Sequence, residues 1–145
     1  MEIAIDFDGT CVAHEYPGVG KDIGAAPVLK KLTDNGHKLI LFTMRSNGAQ
    51  VDVSLNESGD ITSAKKGAQH RTDAVNWFNE NNIPLYGIQS NPSQKYWTSS
   101  PKAYAQLYID DAALGCPLKK PEKAEERPYV DWEAVEVLLS QRGLI

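Results

Sequence analysis

Short apolar segments that predict strands recur along the chain. Residues 2–7 (EIAIDF) alternate between apolar and polar positions, and the strand they predict stops at acidic residues. Residues 37–43 (HKLILFT) form a nearly continuous apolar run, which predicts a strand buried on both faces. Residues 84–90 (PLYGIQS) and 106–110 (QLYID) predict two further strands, and the second of these also runs into acids.

Three other segments have the spacing of amphipathic helices. Residues 25–36 (AAPVLKKLTDNG) place apolar residues in one stripe, with a proline in the first turn and a glycine at the end. Residues 68–82 repeat this spacing, and residues 130–143 predict a last helix with Asp131 as its N-cap. Strands that alternate with helices predict a Rossmann-like three-layer α/β sandwich, with a mainly parallel sheet and helices on both faces.

The length and composition fit one soluble domain. The chain has 145 residues, of which 41% are hydrophobic and 23% charged, so we expect a single domain over residues 1–145. Residues 46–66 alternate only in part, around ESGD, and predict a loop or small hairpin inserted in this domain. This insertion is too short to form a separate domain.

Charge and targeting signals narrow the class of protein. Fifteen basic and nineteen acidic residues give a net charge of −4, which offers no broad basic surface for nucleic acid or membrane. No stretch approaches the roughly 20 apolar residues of a transmembrane helix. Acids near the first residue are unlike a signal peptide, and Cys11 and Cys116 follow no metal or redox spacing. We therefore expect a cytoplasmic protein with two free thiols.

Polar residues follow three of the predicted strands. Asp6 and Asp8 end the first strand, Thr43 ends the second, and Asp110 with Asp111 end the last. In parallel sheets ligands bind at the carboxyl ends of the strands, so these groups should converge at one edge. Crowded carboxylates repel one another unless a cation lies among them, and hard oxygen ligands suit Mg²⁺. The convergence predicts a magnesium site that holds a phosphoryl group.

Such a site has a defined chemistry. A carboxylate can attack phosphorus and form an aspartyl-phosphate, while a second acid protonates the leaving oxygen and then activates water. Arg45 follows Thr43 closely and is a candidate clamp for a second phosphate or carboxylate of the substrate, or else a structural arginine. His14 lies in the Gly/Pro-rich segment after the acids, where a surface position is the simpler interpretation.

DFDGT, a strand-end Thr, a Lys and a strand-end DD together resemble the haloacid dehalogenase superfamily of phosphohydrolases. The resemblance covers essentially the whole chain up to IDD. It implies that Asp6 is the nucleophile and Asp8 the general acid/base. It also implies that Mg²⁺ is held by Asp6, the Asp8 backbone carbonyl and Asp110, with Asp111 as a further acidic partner.

The resemblance assigns roles to the remaining motif residues. Thr43 would hydrogen-bond the phosphoryl oxygens, and Gly9 and Thr10 of DFDGT would belong to the substrate-binding loop. Lys102 would neutralise charge on the nucleophile and phosphate. It lies eight residues before Asp110, and Lys95 is the alternative.

Without a cap domain the predicted site is open. An open site suits a large phosphorylated substrate, or an oligomer whose neighbour supplies the lid. FTMRSNG followed by RTDAVNWF is loosely similar to the phosphatase part of polynucleotide kinase-phosphatases. If the protein binds a nucleic acid, we expect it to do so only as a substrate. The absence of a basic patch disfavours a nucleic-acid substrate.

Three other functions remain open at the level of sequence. The covalent intermediate could pass to an acceptor other than water, which would make the protein a phosphotransferase. The chain could also be an inactive phosphate-binding relative. A phospho-receiver domain is disfavoured by the order of motifs, because a receiver needs a lone Asp where this chain has Thr43.

Overall fold

The centre of the protein is a sheet of four parallel strands. A computed structural model describes residues 1–48 and 51–145. All neighbouring strands of the sheet pair in parallel, which confirms the predicted α/β class with a parallel sheet. In spatial order, numbered along the chain, the strands are Leu85–Ile88 (β5), Lys38–Leu41 (β2), Glu2–Ile5 (β1) and Leu107–Ile109 (β6).

The three predicted helices are present. They are Ala25–Asp34 (α1), His70–Glu80 (α2) and Trp132–Gln141 (α3). Asp131 caps α3 as predicted, since its side chain accepts a hydrogen bond from the Ala134 N–H. No helix in the described part of the chain is both long and apolar enough to cross a membrane.

The helices cover one face of the sheet. Ile3 and Ile5 of β1 point to this face together with Leu39 and Leu41 of β2, because side chains alternate along a strand. These residues form one buried cluster with all three helices. The helical members are Val28, Leu29, Leu32, Ala74, Trp77, Phe78, Val135 and Leu139.

The opposite face is covered by a different kind of structure. Ala4 and Ile40 point there and are as deeply buried. Residues 89–106, which connect β5 to β6, contain one turn of 3₁₀ helix, Gln94–Tyr96, and no α-helix. The prediction of helices on both faces of the sheet is therefore wrong for this face, which is covered by the connection 89–106.

Buried amides hold this connection in place of a helix. The Gln94 side chain accepts from the N–H groups of Asn91 and Tyr104, and it donates to the carbonyls of Ser100 and Lys102. These bonds satisfy backbone groups that a helix would otherwise pair. They also hold the backbone of Lys102 just upstream of β6.

Two antiparallel hairpins complete the fold. Val51–Leu55 (β3) pairs with Ile61–Lys66 (β4) within the stretch 46–66 for which the sequence predicts a loop or a small hairpin, and residues 49 and 50 lie outside the described residues. Leu118–Lys119 (β7) pairs with Tyr129–Val130 (β8). The second hairpin was not predicted, because strands of two residues leave no periodic pattern.

Candidate active site

The pairing of β1 with β6 brings acids together at the carboxyl edge of the sheet. Ile5 is paired with Ile109, and the Asp6 N–H donates to the Ile109 carbonyl at 3.0 Å. Asp110 and Asp111 follow directly. One carboxylate oxygen from each of Asp6, Asp110 and Asp111 lies within 4.8 Å of the others. We call these three residues the acid cluster, and their convergence agrees with the sequence prediction.

Thr10 connects members of the acid cluster. Its hydroxyl donates to Asp6 Oδ2 at 2.9 Å and accepts from the Asp111 N–H at 3.0 Å. The side chain is completely buried. The structure therefore places Thr10 as a support for the two acids, rather than in the substrate-facing position that the sequence predicts.

The environment of Asp6 disfavours its charged form. The pKa of Asp6 is raised to about 7, mainly by burial and also by the nearby Asp110 and Asp111, against the lowering effect of hydrogen bonds from the Phe7 backbone and Thr10. A half-buried group with such a pKa is suited to bind a cation, which would offset both the burial and the repulsion.

The donor set of the acid cluster fits Mg²⁺. Three carboxylates offer only hard oxygen ligands, and no histidine nitrogen or thiolate belongs to the cluster. Mg²⁺ in proteins usually takes one or two carboxylates, with water or phosphate oxygens in the remaining positions. Asp8, which was predicted to contribute its backbone carbonyl, does not add its side chain to this group.

The Asp8 side chain is bound by Arg45 instead. Arg45 Nε donates to Asp8 Oδ2 and its Nη2 donates to Asp8 Oδ1, both at 2.8 Å. This two-point geometry matches the planar guanidinium to the carboxylate and orients both oxygens. Arg45 is only 1% exposed and Asp8 19% exposed at their side chains, so the pair is shielded from water.

The other donors of Arg45 also bind within the protein. Nη2 donates to the Gly18 carbonyl at 2.6 Å, while Nη1 donates to the carbonyls of Pro17 at 3.1 Å and His70 at 3.4 Å. With the two bonds to Asp8, all five N–H donors of the guanidinium are engaged. Arg45 thus anchors the segment after DFDGT and the start of α2. It has no donor left for the substrate anion that the sequence predicts it to clamp.

Thr43 lies next to this anchor. Its hydroxyl accepts from the Arg45 N–H at 3.0 Å, and its backbone N–H and carbonyl both bind the side chain of Gln89. Gln89 has a positive φ of 64°. The sequence prediction overlooked Gln89, because a polar residue after a strand is common.

Gly9 allows His14 to reach the acid cluster. Gly9 has φ 79°, and a β-carbon there would clash with the His14 imidazole and with Asp111 Oδ2. The His14 imidazole occupies this space, and its Nε2 lies 2.9 Å from Asp111 Oδ2. His14 is therefore part of the site and not the surface residue that the sequence favours.

A cavity of about 510 Å³ opens above the acids. We call it the acidic cavity. The predicted residues Thr43, Lys102 and Lys95 are not among its lining residues in the described part of the chain. The Lys102 ammonium lies over the Tyr108 ring at 5.5 Å, and that of Lys95 over Tyr96 at 5.0 Å. Lining residues are Asp6, Asp8, His14, Tyr16, Met44, Arg45, Asp110, Asp111, Ala112 and Arg127.

Arg127 reaches the acidic cavity because the C-terminal segment is bonded to DFDGT. The Val130 N–H donates to the Gly9 carbonyl at 2.9 Å, and Trp132 Nε1 donates to the Thr10 carbonyl at 2.7 Å. The sequence prediction missed this arrangement. Arg127 lies in the charged stretch KKPEKAEERP, where nothing distinguishes it from a solvent-exposed residue.

Cys11 is close to the site but is poorly suited to react. It is fully buried, and its thiol contacts the Asp6 carbonyl at 3.2 Å. Burial raises the pKa of Cys11 well above its ordinary value, and the charges of Asp6 and Asp8 add to this effect. A thiol held in its protonated form is a weak nucleophile.

Comparisons with known proteins support the fold. No protein-family model and no curated protein match the chain. A solved structure of a conserved protein from Bacteroides thetaiotaomicron is similar, with a TM-score of 0.67 and 26% sequence identity. The similarity covers 98% of this chain and 91% of that chain. It supports a Rossmann-like α/β arrangement with a four-stranded parallel sheet.

The Arg45 anchor predicts a large loss of stability on substitution. Arg45→Met should lower the free energy of unfolding by about 3–5 kcal/mol, because it leaves the Asp8 carboxylate and several carbonyls without their donor. Urea denaturation measures the change. Arg142→Met, at the exposed arginine that follows the last residue of α3, is the control and should change stability by less than about 0.5 kcal/mol. Equal losses in the two variants would contradict the anchor role.

The pKa of Asp6 predicts how stability depends on pH without metal. Asp6 has a pKa of about 7 in the folded protein and 3.8 as a model group, so the folded state binds more protons between these values. The free energy of unfolding should therefore fall as pH rises from about 4 to 7. Asp6→Asn, which cannot ionise, should show a shallower fall.

Mg²⁺ is expected to reverse this loss, because a cation held by the acid cluster would favour its ionised form. At a concentration 100 times its Kd it should stabilise the folded protein by about 2.7 kcal/mol, and the effect should be larger at pH 8 than at pH 5. Thermal unfolding in EDTA and in Mg²⁺ at the two pH values measures both effects. An identical pH dependence in wild type and Asp6→Asn would refute the assignment.

Proposed function

We propose that the protein is a Mg²⁺-dependent phosphomonoesterase of the haloacid dehalogenase superfamily that acts through an aspartyl-phosphate on Asp6. The observation that carries the proposal is the acid cluster at the carboxyl edge of two adjacent parallel strands. It combines a half-buried carboxyl group at the end of β1 with two more acids at the end of β6. The DFDGT motif supplies the first of these acids, in the position that the resemblance implies.

In the first step Asp6 attacks the phosphorus atom of the substrate. One Asp6 oxygen forms a bond to phosphorus while the bond to the leaving oxygen breaks, and the leaving oxygen takes up the proton of the protonated Asp8 carboxyl group. Thr10 supports this step, since its hydrogen bond to Oδ2 orients the Asp6 carboxylate. Bound Mg²⁺, held by Asp6, Asp110 and Asp111, would supply positive charge against the acids and the phosphoryl oxygens.

In the second step water attacks the aspartyl-phosphate and releases inorganic phosphate and free Asp6. Asp8 lines the acidic cavity and is positioned to accept the proton of this water. Arg45 donates to both Asp8 oxygens and so orients the carboxylate, and each oxygen keeps a second lone pair that can take the proton. The proton that Asp8 gains in this step replaces the one that it gives to the leaving oxygen in the first step, so Asp8 ends the cycle as it began.

The chemistry can be tested with 4-nitrophenyl phosphate. Wild-type protein should hydrolyse it with Mg²⁺ and lose activity in EDTA. Asp6→Asn removes the nucleophile and should lower kcat by at least about 10³-fold. Asp8→Asn removes the proton acceptor and should lower kcat by about 10²- to 10⁴-fold.

A matched control separates these effects from a general loss of charge. Asp34→Asn alters an exposed acid at the end of α1 and should keep kcat within about twofold of wild type. Release of 4-nitrophenol, followed by its absorbance, measures each rate. Activity that survives both EDTA and Asp6→Asn would overturn the proposed mechanism.

The lysine of the proposed site can be assigned by comparing two variants. Lys102 is held just before β6 and its ammonium contacts Tyr108, two residues before Asp110, whereas Lys95 lies in the 3₁₀ turn against Tyr96. We expect Lys102→Ala to lower kcat/KM for 4-nitrophenyl phosphate by about 10²-fold and Lys95→Ala by less than about threefold. A larger loss in Lys95→Ala would move the role to Lys95.

A further inference from the structure

The acidic cavity has room for more than a phosphoryl group. Its volume of about 510 Å³ falls within the roughly 300–1,000 Å³ of small-molecule sites. Tyr16 and Met44 on its wall are largely exposed and offer apolar surface to an organic group. The cavity therefore fits a small phosphate ester whose leaving part lies beside these two residues.

The acidic cavity carries an excess of negative charge, so binding of an anionic substrate requires a cationic side chain with free hydrogen-bond donors. Four carboxylates line it, from Asp6, Asp8, Asp110 and Asp111. Asp8 is paired with Arg45, and the other three carboxylates exceed the charge of one bound Mg²⁺, while the substrate adds at least one anionic phosphoryl group. Arg45 cannot offset this charge through new hydrogen bonds, because its five N–H donors already bind Asp8 and three backbone carbonyls. The other arginine of the cavity wall is Arg127.

Arg127 is available to a ligand. Within the described residues its side chain has no hydrogen-bond partner, and no carboxylate of the cavity lies within the 4.0 Å of an ion pair. In the described part of the chain the guanidinium is therefore not engaged by the acid cluster, although Arg127 lines the same cavity. A planar guanidinium with free donors is the protein group best matched to a carboxylate or a phosphate.

The position of Arg127 is set by the fold. The β7–β8 hairpin ends at Val130, whose N–H binds the Gly9 carbonyl of DFDGT, and α3 begins with Trp132 bonded to Thr10. Arg127 comes three residues before Val130. It also borders a smaller cavity of about 170 Å³ shared with His14 and Tyr129. The loop that carries Arg127 is thus tied to the same backbone that carries Asp6.

We propose that Arg127 determines substrate specificity by binding a second anionic group on the leaving part of the substrate. The natural substrates are then small phosphomonoesters that also carry a carboxylate or a second phosphate. This inference rests on the proposed phosphatase function. It assigns to the β7–β8 hairpin the selective role that a cap domain would otherwise have.

Three aryl phosphates test the proposal in the presence of Mg²⁺. They are 4-carboxyphenyl phosphate, its neutral methyl ester, and 1,4-phenylene bisphosphate. The quantity measured is kcat/KM of each variant divided by that of wild type, because this ratio cancels differences in leaving-group reactivity. Arg127→Gln should lower kcat/KM for the two anionic probes by about tenfold more than for the methyl ester.

Lys120→Gln is the matched control, because it removes one positive charge from the same hairpin outside the cavity wall. The ratio of its kcat/KM to that of wild type should be the same for all three probes, within about twofold. A selective loss for the carboxylate probe alone would identify a carboxylate as the second anion, and a selective loss for the bisphosphate would identify a phosphate.

A failure of the Arg127 proposal can be distinguished from a failure of the proposed phosphatase function. If wild type hydrolyses all three probes and Arg127→Gln lowers them equally, the specificity role of Arg127 is overturned while the phosphatase function stands. If wild type hydrolyses none of them, the proposed function is overturned, and the inference that rests on it falls as well.

Discussion

The burial of neighbouring carboxylates at one edge of the sheet is the constraint on which the rest of the site depends. Parallel pairing of β1 with β6 leaves no freedom in where Asp6 and Asp110 meet, because the register matches Ile5 with Ile109. Three acids then lie with one oxygen each within 4.8 Å of the others in a half-buried place, and the pKa of Asp6 is raised there, mainly by burial and also by the charges of the other two acids. Carboxyl groups with strongly shifted pKa values are concentrated at functional sites, where they bind a cation or take part in a reaction.

The surrounding structure separates the side chain of Asp8 from the acid cluster. The buried guanidinium of Arg45 takes the Asp8 carboxylate out of the acid cluster and joins it to the segment after DFDGT and to α2. Thr10 performs the complementary task inside the cluster by bonding Asp6 and Asp111. Two acids one residue apart therefore face different partners, which allows them to have different chemical roles.

Regular elements of this fold were predictable from the sequence, and irregular ones were not. Apolar periodicity located the four strands of the sheet and the three helices, because burial of one stripe or face leaves a repeat in the chain. The connection from β5 to β6 is held by the Gln94 amide, and β7 and β8 have two residues each. Neither feature leaves a repeat, since a few specific hydrogen bonds replace periodic burial.

By itself, the sequence determined which residue types end the strands, and hence that Asp6, Asp110 and Asp111 meet at one edge. The tertiary structure alone decided what surrounds them. It directed Arg45 to Asp8 and away from a ligand, brought His14 onto Asp111 through the space left by Gly9, and carried Arg127 into the acidic cavity. The physical reason is that strand-end positions follow from local periodicity, whereas these contacts depend on packing between distant segments.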